Sequence, residues 1–271
     1  MAQQIKSLDL TIKPLIGMIH LPPFPEPNEK SLDSVIQHCS HDIQILQKTG
    51  FDAILIENFH SSPFPKYRLD DFKYLMMSNI VGKIAKAIKI PFGINILRNA
   101  CVQALIMAAV HGATFIRCNV WEGAYITDQG IIESVAEDVI RTKYELGLNM
   151  IILADIHVKH ASPLGHFSIE EASRNALVRG KADAVIVSGK ETGAMIQLSE
   201  LQRLNQLTGI KPILGSGLTS QNLQKVFSYI SGAIVGTSIK KGDLNTLIDP
   251  ARAEELVHIW KSEKDKEFSS T

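Results

Sequence analysis

The chain has 271 residues, 45% of them hydrophobic and 21% charged, with 28 basic side chains balanced by 28 acidic ones. That composition supplies the apolar mass for a large core and excludes a disordered chain. A net charge of zero excludes whole-molecule attraction to nucleic acid or to an anionic membrane.

Residues Met1 to Ser7 show neither the apolar run of a secretory signal nor the Arg-rich pattern of a transit peptide, so the expected location is cytoplasmic. Cys39, Cys101 and Cys118 are odd in number and widely spaced, which reads as free thiols in a reducing compartment. The longest apolar segment, Ala104 to Val110, falls far short of the ~20 residues that cross a bilayer. Any membrane association would have to be peripheral.

Strand-like runs begin near Pro14, Phe51, Pro91, Thr114, Met150, Ala182, Lys211 and Gly232, each followed by a helical pattern. Their mean spacing of about 31 residues is that of a βα unit. Eight such alternations predict an α/β fold with eight parallel strands, a (β/α)8 TIM barrel, in preference to an open doubly wound sheet. Ser168-Ile-Glu-Glu171 has the form of a capping box, and Asp249-Pro250 that of a helix start. Gly50, Gly112, Gly147, Gly180 and Gly209 fall where helices must stop before the next strand. Leu21 to Pro27 is too rich in proline for helix. No linker divides the chain, so residues 1–271 form one domain with the barrel over 14–260. The charged, then polar, tail from Lys261 is expected to fray.

In such a barrel the loops at the carboxyl ends of the strands carry function. Reading each strand to its end gives His20, Glu57 with Asn58, Asn95, Arg117 with Asn119, Asp155 with His157 and Lys159, Ser188 with Gly189, Ser216, and Thr237. A purely structural barrel would fill these places with valine or isoleucine. Their polarity predicts a ligand site, in which His20, Asn95, Arg117, Asn119, Ser188 and Gly189 bind substrate.

The sharpest local signal is a phosphate corner. Gly215-Ser216-Gly217 ends the seventh strand and Gly236-Thr237-Ser238 the eighth, and glycine lets successive backbone N–H groups approach an anion. Lys240 or Lys241 would add charge there. The plainer reading is that these glycines only relieve crowding.

Alternation along Asp155, His157 and Lys159 places all three on one face, where a carboxylate, an imidazole and an ammonium suit proton transfer beside an anionic substrate. Lys159 would also serve a Schiff base. The structural alternative is an Asp155–Lys159 ion pair. Glu57 reads as a general base, as a partner for a ribose-like diol, or as a partner of Arg117. His20, Asp155, His157, His160 and His166 are acceptable metal ligands, yet no spacing fixes a geometry, so a divalent metal is not favoured and no cofactor is assigned. The connections over 58–66 and 121–130 are candidate lids, with His60 expected at the surface.

Gly17-Met-Ile-His-Leu-Pro-Pro23, Asn95-Ile-Leu-Arg-Asn99, Ala124 to Ile132 with its Thr-Asp-Gln-Gly core, Ala154-Asp-Ile-His-Val-Lys-His160 and the two glycine loops follow one another in an order and spacing that resembles the BtpA/SgcQ family nearly end to end. The resemblance implies a barrel. By the family's naming, it also implies a link to photosystem I biogenesis in cyanobacterial members, although other members occur in organisms without photosynthesis.

Residues and resemblance together predict a metabolic enzyme, a lyase, isomerase or hydrolase, acting on a phosphorylated or anionic small molecule through Glu57, Asp155, His157 and Lys159. The alternative is a non-catalytic assembly factor, recognisable by an exposed apolar or basic patch away from the barrel mouth. The expected partners are that small ligand and further copies of the chain in a homo-oligomer, with no nucleic acid.

Overall fold

A computed structural model describes residues 6–24, 29–158, 161–165, 167–189, 196–242 and 246–269. In chain order its strands are β1 (Leu15–His20), β2 (Ala53–Glu57), β3 (Phe92–Asn95), β4 (Phe115–Cys118), β5 (Ala124–Thr127), β6 (Gly130–Glu133), β7 (Ile151–Ile156), β8 (Ala161–Pro163), β9 (Ala184–Val187), β10 (Ile213–Leu214) and β11 (Gly232–Val235). The helices are α1 (Glu29–Thr49), α2 (Asp71–Ile84), α3 (Cys101–His111), α4 (Ala136–Glu145), α5 (Ile169–Arg174), α6 (Leu198–Thr208), α7 (Leu223–Val226) and α8 (Pro250–Ser269).

Strands β1, β2, β3, β4, β7, β9, β10 and β11 are parallel and neighbour one another in that order. β11 then returns to β1 through Leu15 opposite Ala233 and closes the barrel. That closure rules out the open sheet. Each barrel strand starts within two residues of its predicted position.

Alternation sorts the side chains. Ile16, Met18, Ala53, Leu55, Phe115, Leu153, Ile186, Ile213 and Ile234 point inward and pack on one another, and Leu8 packs with them. Their neighbours in sequence, such as Leu15, Ile19, Ile54 and Ile56, point outward and join the larger layer between strands and helices. Burying a large aliphatic side chain contributes about 2 kcal/mol, so a slip of one residue in any strand would exchange both layers at once.

The helix ends largely obey their sequence signals. Ser168 accepts a hydrogen bond from the Glu171 amide at 3.2 Å, and Asp249 accepts from Ala251 and Arg252. Gly112 and Gly209 end α3 and α6 in the left-handed conformation, at φ 77° and 72°. Gly180 differs. It keeps a right-handed φ of −78° after a π-helical turn over Asn175–Arg179, and glycine is needed there because a Cβ would press on the Trp121 indole.

Two expectations change. The connection after β4 is ordered as a hairpin of β5 and β6, which β8 extends to three antiparallel strands. The tail predicted to fray from Lys261 continues α8 as far as Ser269. Partners distant in sequence hold it: Glu267 reaches Lys13 at 2.6 Å, and Lys264 lies 3.8 Å from Asp52. Lys13 also stacks over the Phe227 ring at 4.0 Å. Among the described residues, no helix is long and apolar enough to cross a membrane.

Candidate active site at the carboxyl end of the barrel

The inward parity that fills the barrel with aliphatic groups turns polar at the carboxyl ends. Met18 gives way to His20, Leu55 to Glu57, Gly93 to Asn95, Phe115 to Arg117 and Asn119, and Leu153 to Asp155. His20, Glu57 and Asn95 stand level across β1, β2 and β3. All these polar side chains are at least nine-tenths buried.

They surround a cavity of about 410 Å³, whose wall includes His20, Glu57, Arg117, Asn119 and Asp155 from the strands, Phe59, Ser62 and Phe64 from the loop after β2, and Arg98 after β3. Gly215 to Thr219 and Gly236 to Ser238 complete it from the loops after β10 and β11. The size suits a small metabolite.

Arg117 makes two hydrogen bonds to Asp155, from Nε at 2.8 Å and Nη2 at 2.9 Å, and Asn119 Nδ2 donates to the same carboxylate at 2.9 Å. Burial works against a charged guanidinium, yet the Asp155 carboxylate and its hydrogen bonds, helped by Glu57, hold the Arg117 pKa above the ordinary arginine value. Asp155 thus pairs with Arg117; the Asp155–Lys159 pair considered from sequence involves Lys159, which lies outside the described residues. Asn95 Nδ2 donates to Glu57 Oε2 and fixes that carboxylate. Asn119 Oδ1 is buried without a hydrogen-bond partner among the described residues.

The alternation fails at His157. The strand ends at Ile156, and His157 takes a φ of 52°, so Val158 rather than His157 faces the cavity. The His157 ring instead meets the Phe167 carbonyl at 3.1 Å and secures the loop. Asn95 reaches the cavity only through Glu57. Ser188 and Gly189 lie off the wall, although Ser188 Oγ is buried without a hydrogen-bond partner among the described residues and a Cβ on Gly215 would collide with it. His160 and His166, considered as metal ligands, lie outside the described residues. Among those described, no three His, Cys, Asp or Glu side chains are grouped to hold a metal ion.

The two glycine loops are built in different ways. Gly217 has a φ of 76°, and Asn222 locks its loop by accepting from the Thr219 amide at 2.9 Å and donating to the Gly217 carbonyl at 2.7 Å. Gly236 makes room for His20, because a Cβ there would stand 2.7 Å from the imidazole Cε1. Ser238 Oγ is buried beside the cavity with no hydrogen-bond partner among the described residues. The lysines expected to add charge are elsewhere. Lys240 is buried away from the wall, and Lys241 pairs with Asp249 at 2.6 Å, because the turn Thr237–Ile239 carries the chain off the mouth.

The cation that sequence reasoning missed is Arg98. Asn58, at the end of β2, accepts from the Leu97 amide at 2.7 Å and donates to the Leu97 carbonyl at 3.4 Å. The Arg98 and Asn99 amides bond to Pro65 and Lys66, both at 2.9 Å. The sequence signal for it is Asn58, directly after the strand-end Glu57; Asn58 acts as scaffold for the loop that carries Arg98. His60, expected at the surface, is half-buried and packs on Phe59 and His20. The cysteines are buried, and burial pushes the Cys39 thiol up to about 12, which leaves it unreactive.

Residues 11–262 match the family model described as BtpA family. The Photosystem I biogenesis protein BtpA of Synechocystis is 38% identical over 91% of this chain and 88% of its own length. The sgc region protein SgcQ of Escherichia coli is 28% identical over 93% and 96%. Among solved structures, thiamine phosphate pyrophosphorylase from Pyrococcus furiosus superposes with a TM-score of 0.57 over 93% of this chain and 98% of that one. At 14% identity, that likeness speaks for the barrel alone.

Proposed function

The chain belongs to the BtpA family, and from that footing we propose that it is a metabolic enzyme moving protons on a phosphorylated or otherwise anionic small molecule at the carboxyl end of the barrel. One observation carries the reading. A single cavity takes Glu57 and His20 from adjacent strands, and hydroxyl-bearing glycine loops from β10 and β11. The loops would hold the anion through the amides near Gly215, Gly217 and Gly236 and the hydroxyls of Ser216, Thr237 and Ser238.

Glu57, oriented by Asn95, is the base, and His20 beside it is the proton partner. Asp155 accepts three hydrogen bonds from Arg117 and Asn119, so it serves as the fixed charge that orients both. Imine chemistry would fall instead to Lys159. Turnover that survives Lys159→Met assigns the reaction to proton transfer.

The assembly-factor alternative has one feature in its favour. Phe72 and Leu75 on α2, and Ile106 and Val110 on α3, are exposed on helices that pack together. A homo-oligomer would cover the same residues. A catalytic chain explains the buried acid, imidazole and ion pair around one cavity, which a scaffold does not require.

The test is a thermal-shift screen of sugar phosphates, nucleotides and inorganic phosphate, with and without divalent metal, followed by product analysis on every stabilising compound. A stabilising phosphorylated compound should be converted, and Glu57→Gln should stop conversion while keeping the stabilisation. A flat screen, or stabilisation with no conversion of any compound, would favour the assembly factor.

A further inference from the structure

Two parts of the cavity wall carry groups that suit anions, and they follow strands opposite one another in the ring. In the closed ring, β3 is separated from β10 by four steps in either direction. Arg98 follows β3 and Gly215 to Thr219 follow β10, so the two line the cavity from loops on opposite sides of the ring. The corner meets an anion with amides and hydroxyls and has no need of an arginine from the far side. Arg98 is 8% exposed, on a backbone held from both sides. Asn58 clamps Leu97 before it. Asn99 after it accepts from the Val120 amide at 2.9 Å and donates to the Val120 carbonyl at 3.0 Å. Such anchoring fixes the backbone that carries Arg98 at the cavity wall, and a guanidinium there suits the planar, two-point recognition of a carboxylate.

We infer that the substrate carries two acidic groups, a phosphate seated in the glycine loops and a carboxylate met by Arg98 on the opposite wall. This rests on the phosphate reading of the site and adds the second group. The reacting atoms then lie between the two anchors, beside Glu57 and His20. Arg98 becomes the residue that selects phosphorylated acids over phosphorylated alcohols.

Calorimetric titration with a matched pair, 6-phosphogluconate and glucitol 6-phosphate, tests this directly, because the two share the phosphate and differ by the terminal carboxylate. The native protein should bind the acid at least about tenfold more tightly, a difference of about 1.4 kcal/mol. Arg98→Met should erase that preference and leave glucitol 6-phosphate binding within about twofold, Arg98→Lys should restore part of it, and Ser238→Ala should weaken both compounds alike. Equal binding of the pair by the native protein, or a preference that survives Arg98→Met in a variant with a native melting curve, overturns the assignment of Arg98 while leaving the phosphate corner standing. Failure of both compounds to bind contradicts the corner itself, and the inference falls with it.

Discussion

Arg117 and Asp155, on the neighbouring strands β4 and β7, face each other inside the barrel mouth through two hydrogen bonds of 2.8 and 2.9 Å, with less than a tenth of either side chain exposed. The pair sets the electrostatics of the cavity wall and gives the first prediction. Arg117→Met or Asp155→Leu alone should cost about 3–5 kcal/mol in denaturant unfolding, because each strands a buried charge. The double variant should recover most of that loss. Equal and additive losses would mean that the two groups act independently.

The loop after β10 depends on Gly217, whose φ of 76° suits glycine. Gly217→Ala should cost roughly 1 kcal/mol of stability. Its effect on phosphate affinity should be larger, because the amides around it would turn. Unchanged affinity in a destabilised variant would remove this loop from the anion site.

A pH effect follows from Glu170, whose carboxyl the hydrogen-bonded Arg203 guanidinium holds down at about 2. The unfolded chain binds that proton at about 4.3. The contribution is therefore complete above that value and is lost as pH falls through the folded value. Urea midpoints measured between about pH 5 and 2 should fall more steeply for the native chain than for Glu170→Gln. Parallel curves would deny the coupling. Arg203 is more than half exposed, so solvent screening keeps the effect modest.

The end of α8 gives a structural prediction. Lys13 donates to Glu267 and to the Phe227 carbonyl, and so joins the start of the barrel to its last helix. Removal of residues 263–271 should lower stability by at least about 1 kcal/mol and expose Lys13. Amide exchange in the intact protein should protect residues 261–266. Exchange at the rate of a free peptide would restore the frayed tail.

These outcomes mark what was legible in the chain. The inward parity of each strand was readable, and it placed His20, Glu57, Asn95, Arg117, Asn119 and Asp155 at the barrel mouth, because alternation needs only local sequence. The partner of Asp155 was not readable. Its contact with Arg117 depends on the register between β4 and β7, which a single chain does not display. His157 escaped because one residue at φ 52° resets the alternation. Arg98 escaped because hydrogen bonds from Asn58 and Asn99 place it, contacts made across loops whose path no periodicity encodes. The tail was misjudged for a related reason, since its polar composition is locally that of a fraying end and its partners, Lys13 and Asp52, are remote in sequence.

The central claim is that the glycine loops after β10 and β11 hold a phosphate. Amide chemical shifts of the isotope-labelled protein, followed during titration with inorganic phosphate, test it most directly. Saturable shifts concentrated at Ser216, Gly217, Leu218, Thr237 and Ser238, and weakened by Ser238→Ala, are the predicted result. Saturation of amides elsewhere on the surface, with these five unmoved, would contradict it.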